Sequence, residues 1–238
     1  SLSLRSHSDH SITVTRLVFP TENGIAPFLS IDHRDHVSFL RNGHQSWSTA
    51  RSYRLSDHPL RPWLRVVSLA SSNLANLPSG QRGALSSEMY AVVANLDSGE
   101  SFLIGQSTPF DQFLYVRLHW AARSERDHFE LVFDFGCKLL APRHQVDLDG
   151  VVMARGRTVG LQQRYFDYVA TKAKPPVPKR NLPGWNSWYC FHNHVWPDDI
   201  LRNVEAITAA GLDLDYIQID DGYQTRVGDW LNLRAPFV

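Results

Sequence analysis

Two short segments hold the residue types that a sugar-binding site needs. Gly184-Trp185-Asn186-Ser187-Trp188-Tyr189 supplies flat aromatic rings, and Ile219-Asp220-Asp221-Gly222-Tyr223-Gln224 supplies two adjacent carboxylates. Aromatic rings pack against the apolar face of a sugar, while carboxylates accept hydrogen bonds from its hydroxyls. Two neighbouring acids at a strand end cost desolvation unless a ligand or surrounding groups supply donors. Taken singly, each segment has a plainer reading, with Asp221 capping a helix and the tryptophans packing a core. Together, one helix apart, they point to a shared sugar site.

The elements around them form a β-α-β unit. Trp185 to Phe191 reads as a strand. Pro197-Asp198-Asp199 then opens a helix, with proline near its first position and carboxylates where the helix dipole favours them. Ile200, Val204, Ile207 and Ala210 space an apolar face along it, and Gly211 stops it. Tyr216-Ile217-Gln218-Ile219 is a short second strand that runs straight into the two aspartates. In α/β folds, active sites are built at that end of the sheet.

From Ser11 to about Asp149 the pattern is strand after strand. Ile12–Thr15 and Leu17–Phe19 precede turn residues at Pro20 to Gly24. Tyr90–Val93 and Ser101–Ile104 flank Asn95-Leu96-Asp97-Ser98-Gly99, which has the chemistry of a hairpin tip. Phe113–Trp120 and His128–Phe135 form a second hairpin around a polar loop. Such spacing predicts an antiparallel β-sandwich over residues 1–155. A helix over Leu161–Ala170 and the proline-rich run Lys174–Arg180 make 156–181 a stiff linker, and 182–238 follows as the α/β portion.

The composition is that of an ordinary globular protein, with 43% hydrophobic and 20% charged residues and a formal net charge of zero. Nothing in that balance favours a nucleic acid as partner. No stretch approaches the ~18 apolar residues of a membrane span, and no apolar leader precedes the strands, so a cytoplasmic, membrane-free protein is expected. Cys137 and Cys190 are the two cysteines and lie in different elements, which disfavours a disulfide framework or a zinc spacing.

The motifs resemble those of glycoside hydrolase family 36. The resemblance rests on Asn181-Leu182-Pro183-Gly184-Trp185-Asn186-Ser187-Trp188-Tyr189, on Leu214 to Gln224, and on Gly228-Asp229-Trp230-Leu231. Arg41-Asn42-Gly43-His44-Gln45-Ser46-Trp47-Ser48 is similar to a motif of the family's N-terminal sandwich. The resemblance implies an α-galactosidase that releases terminal α-galactosyl residues by retaining double displacement, without metal or organic cofactor. Asp220 and Asp221 would bind the 4- and 6-hydroxyls of galactose, Trp188 and Tyr189 would wall the pocket, and Trp47 would close it from the sandwich. Asp229 and Trp230 would lie near its mouth. Residues 182–238 would be the opening of a (β/α)8 TIM barrel, with both catalytic aspartates on later strands, past Val238. No catalytic residue is therefore assigned within 1–238, and this stretch alone is expected to be inactive. The segment Cys190 to Trp196 follows the family only loosely, with Trp196 where a small cap residue such as threonine is expected.

Other readings stay open. A galactosyltransferase of the raffinose-synthase type or an α-N-acetylgalactosaminidase would share these motifs. The sandwich could instead be a carbohydrate-binding module using Trp47 and Trp120. His192-Asn193-His194, with Asp220 or Asp221 as third ligand, could open the metal site of a TIM-barrel metallohydrolase. On the barrel reading, the strands beyond Leu182 lack neighbours on their open edges, so they should be poorly ordered or prone to associate in isolation. Hydrogen exchange on the monomeric 238-residue chain checks this: the amides of Ile217 and Ile219 should exchange fast, and strong protection there would refute it.

Overall fold

The computed structural model describes residues 2–21, 23–31, 33–43, 45, 48–55, 57, 83–108, 110–120, 128–176 and 180–238. Two units separate, Ser1–Pro175 and Pro176–Val238.

In the first unit, strands β1 (Ser3–Arg5), β2 (Ile12–Thr21), β3 (Val37–Arg41), β4 (Arg51–Arg54), β5 (Ala84–Glu88), β6 (Tyr90–Asn95), β7 (Glu100–Gln106), β8 (Phe113–His119), β9 (His128–Leu140), β10 (Gln145–Asp147) and β11 (Val151–Arg157) precede helix α1 (Thr158–Ala173). They form a five-stranded sheet ordered β11-β7-β6-β3-β4, a four-stranded sheet ordered β2-β9-β8-β5, and the pair β1-β10. Every pairing in the unit is antiparallel. Both hairpins expected from sequence, β6-β7 and β8-β9, are present.

The two larger sheets meet through one apolar cluster. Phe39, Val93, Phe102 and Ile104 come from the five-stranded sheet, and Leu85, Val116, Leu118 and Phe129 from the four-stranded one. This is the arrangement of a β-sandwich. The five-stranded sheet is covered on its other face as well: Val92 and Leu103 pack with Leu161 and Tyr165 of α1. A strand buried on both faces has no polar side to alternate with. That is why Ala91-Val92-Val93 and Phe102-Leu103-Ile104 are unbroken apolar runs.

The helix expected at Leu161–Ala170 is thus a layer of the first unit. Its regular part begins after Gly160, which sits at φ 85°. Leu161 and Tyr165, four residues apart, put one stripe against the sheet. Gly105 permits the approach, because a Cβ there would lie 2.6 Å from the Tyr165 ring. The Tyr165 hydroxyl donates to the Gln106 carbonyl at 2.7 Å. At the far end Lys174 adopts a left-handed conformation, its N–H bonded to the Ala170 carbonyl, and Pro175 prevents continuation.

One local expectation in this unit needs correction. Pro20 was expected in a turn, but β2 continues through Thr21. It lies at the edge of its sheet, where a residue without N–H is tolerated. Within β2 a bulge shifts the register between Val14 and Arg16, opposite Gly136 and Cys137, both at positive φ.

The second unit carries the short parallel pair β12 (Gly184–Asn186) and β13 (Tyr216–Gln218), joined through helix α2 (Trp188–Phe191), a 3-10 turn at His192–His194 and helix α3 (Pro197–Ala209). The strand expected over Trp185–Phe191 ends at Asn186. There the Asn186 side chain accepts the Trp188 N–H at 2.7 Å and turns the chain into α2. At Trp196, the residue before α3, the missing small cap is replaced by Asp199. Its carboxylate accepts the Trp196 N–H at 3.0 Å.

Two predictions follow from the helix layer. Gly105→Ala should drive its methyl into Tyr165 and cost about 1–3 kcal/mol by denaturant unfolding. Burial pushes the Tyr165 hydroxyl up to about 12 from its usual 10, with Tyr90 adding to the shift. Its folded pKa exceeds the unfolded one, so its contribution to stability is full below pH ~10 and lost as pH rises toward ~12. Tyr165→Phe should flatten the loss of stability across that alkaline window in pH-dependent unfolding.

Candidate functional site

The parallel register pairs Gly184 with Tyr216, Trp185 with Ile217 and Asn186 with Gln218. Both strands run the same way, so their C-terminal ends emerge side by side. Asn186-Ser187-Trp188 therefore stands beside Ile219-Asp220-Asp221.

Ser187 joins the two ends. It is fully buried; its N–H donates to the Gln218 carbonyl at 3.1 Å, and its hydroxyl oxygen accepts the Asp220 N–H at 2.9 Å. Asn186 joins them again through its side chain. Its Oδ1 holds the Trp188 N–H, and its Nδ2 donates to Asp220 Oδ2 at 3.0 Å. Asp220 Oδ1 accepts the Asp221 N–H at 2.8 Å, and Asp221 Oδ1 accepts Gln224 Nε2 at 2.7 Å. Gln224, itself buried, takes the Gly222 N–H on its Oε1 at 2.8 Å.

Every one of these donors is neutral. Among the described residues neither Asp220 nor Asp221 has an ion-pair partner. Asp221 Oδ2 also has no hydrogen-bond partner there. Two half-buried carboxylates held only by amide N–H groups keep spare acceptor capacity, which neutral hydroxyl donors can fill.

The structure brings together Trp188, Asp220 and Asp221, all expected at the site. Trp188 is half-buried and linked to Asp220 through Asn186. Tyr189 is 85% exposed and takes no part in that hydrogen-bond network. Trp47 lies outside the described residues. Asp229 faces its own loop, accepting from Asn232 Nδ2 at 2.7 Å, and Trp230 is largely exposed. An open groove of about 670 Å³ runs past Thr225, Arg226 and Asp229 without touching Asp220 or Asp221. Its position is no guide to the carboxylate pair. Trp120 packs against the sandwich core as a partly buried residue.

The histidines raised as metal ligands behave otherwise. The His192 ring meets Trp188 edge-to-face at 5.1 Å, and both His192 and His194 are exposed. Among the described residues no three His, Cys, Asp or Glu side chains gather as a metal-binding group.

The residues missed from sequence are the connectors Asn186, Ser187 and Gln224. Their signal was position: small polar residues at a strand end, and an amide three residues after a carboxylate. Gly222 is the fourth. It sits at φ 114°, and a Cβ there would lie 2.8 Å from the Asn193 backbone. The turn after β13 is thereby seated against the turn after α2. Gly222→Ala should cost about 1–3 kcal/mol, from the forced φ and the displaced turn together. Hydrogen exchange on the protein in its natural reading frame should show it as faster exchange at Ser187 and Asp220, and unchanged rates would contradict the seating.

No family model matches the chain. Among solved structures, the chain is similar to the crystal structure of the alpha-galactosidase from Lactobacillus brevis, with 13% sequence identity and a TM-score of 0.49. The similarity covers 99% of this chain and 31% of that one, so the chain spans under a third of that enzyme's length. No helix among the described residues is long and apolar enough to cross a membrane.

Proposed function

We propose that this chain is the front portion of an α-galactosidase of the family 36 type, with the first unit as its sandwich and the second as the opening of a TIM barrel. One observation carries the reading. Two adjacent carboxylates at the end of a parallel strand are held by neutral donors alone, with a tryptophan tied to the same network. A neutral polyol suits such a site. Its hydroxyls supply the donors that the carboxylates lack, and its apolar face needs an aromatic wall. The resemblance of the motifs to family 36 supports galactose as that sugar, with Asp220 and Asp221 taking the 4- and 6-hydroxyls of its terminal residue.

Trp188 serves as the wall. Tyr189, being largely exposed, is assigned to the rim. Neither aspartate acts as nucleophile or proton donor on this reading. Those roles fall to carboxylates on later barrel strands, about 5 Å apart as retaining chemistry requires. A covalent galactosyl-enzyme forms with inversion and is hydrolysed with a second inversion, and no metal or organic cofactor takes part.

The test is hydrolysis of p-nitrophenyl α-galactoside by the protein in its natural reading frame. Asp220→Asn and Asp221→Asn each weaken a hydrogen bond to a charged acceptor, worth about 1.5–3 kcal/mol, so kcat/KM should fall by roughly 10- to 150-fold. Turnover of the α-galactoside that is indifferent to both substitutions would refute the assignment of the two aspartates.

A further inference from the structure

We propose that His192 is a positioning residue for the aromatic wall, setting the orientation of Trp188 against the Asp220–Asp221 pair. The inference rests on the sugar-site reading above and adds a residue to it. His192 follows Trp188 by four positions, across the single turn of α2, and its ring meets the indole at 5.1 Å with the planes at 89°. That is the edge-to-face geometry in which aromatic quadrupoles attract. The indole is thus held at two points. The Asn186 side chain takes its backbone N–H, and the imidazole supports its ring.

The backbone under His192 is shaped for this contact. Its φ is 49° and its ψ −135°, a region that side-chain-bearing residues rarely occupy, and its N–H closes α2 on the Trp188 carbonyl. A glycine would adopt that conformation without strain. The backbone of the next residue, Asn193, lies close against Gly222 of the carboxylate turn. His192 is exposed to solvent, as are Asn193 and His194, so its ring is not fixed there by burial. A strained non-glycine residue at this step, presenting its ring to the indole, makes sense if the ring is needed where it stands. Trp188 contacts ligand in ground and transition state alike, so its misplacement should raise KM and leave kcat alone.

Two substitutions separate this role from a structural one. His192→Gly removes the ring and relieves the backbone. The melting temperature should hold or rise, while KM for p-nitrophenyl α-galactoside should rise about three- to tenfold with kcat nearly unchanged. His192→Phe keeps an aromatic edge at the same backbone position and should restore KM. An unchanged KM in His192→Gly overturns the positioning role and leaves the sugar site standing. A raised KM in both variants, with both melting temperatures lowered, also overturns it, since the residue would then act through stability. If the unsubstituted protein turns over no α-galactoside, the sugar site falls and this role with it.

Discussion

The candidate site depends on parallel pairing of two three-residue strands, β12 and β13. In a parallel pair the two C-terminal ends must emerge together, so a tryptophan-bearing turn and a carboxylate-bearing turn 34 residues apart in the Asn186–Asp220 bond become neighbours. A one-residue slip would flip each side chain to the other face and take Asn186 away from Asp220. Ser187 resists that slip from inside, because its buried backbone and side chain bond to both residues flanking Ile219. Once the register is set, the turns lock through Gly222 against Asn193 and Gln224 against Asp221.

The first unit solves a different problem with similar means. Its five-stranded sheet is buried on both faces, which requires a second cover besides the facing sheet. Helix α1 provides it, and Gly105 gives the Tyr165 ring room to lie on the strand. The same ring meets its polar obligation by bonding the Gln106 carbonyl, so burying tyrosine there leaves no orphan hydroxyl. Nearby, Asp149 is buried and shared by the Gln106 side chain and the Gln112 backbone, which ties the chain after β10 to β7 and β8. Arg155 forks onto Glu100 at 2.7 and 3.0 Å and clips β11 to its neighbour at the surface.

Much of this was legible in the sequence because it follows from local periodicity. The two hairpins came from apolar runs around polar tips, and α3 from Pro197 with acids in its first turn. What escaped depended on partners far along the chain. Pro20 reads as a turn unless β2 is known to be an edge strand, and α1 reads as a linker unless its Leu161–Tyr165 stripe is known to meet Val92 and Leu103. At the site, Trp188, Asp220 and Asp221 stood out by type. Asn186, Ser187 and Gln224 did not, since an amide or hydroxyl is commonplace until its hydrogen bonds are seen. Tyr189 shared its neighbour's signal, but one residue further round a helix turn it is exposed. The end of β12 was misread because Trp188-Tyr189-Cys190-Phe191 has strand-forming residues, while a side-chain bond from Asn186 diverts the backbone.

The most direct measurement is a galactose titration of the intact protein, followed by NMR at two backbone amides: Trp188, bonded to Asn186, and Asp221, bonded to Asp220. A site shared by both strand ends predicts that the two resonances shift together along one binding curve, and that glucose, differing at the 4-hydroxyl, shifts them far less. Shifts at one amide alone, equal responses to the two sugars, or none at either would contradict a galactose site built on this strand pair.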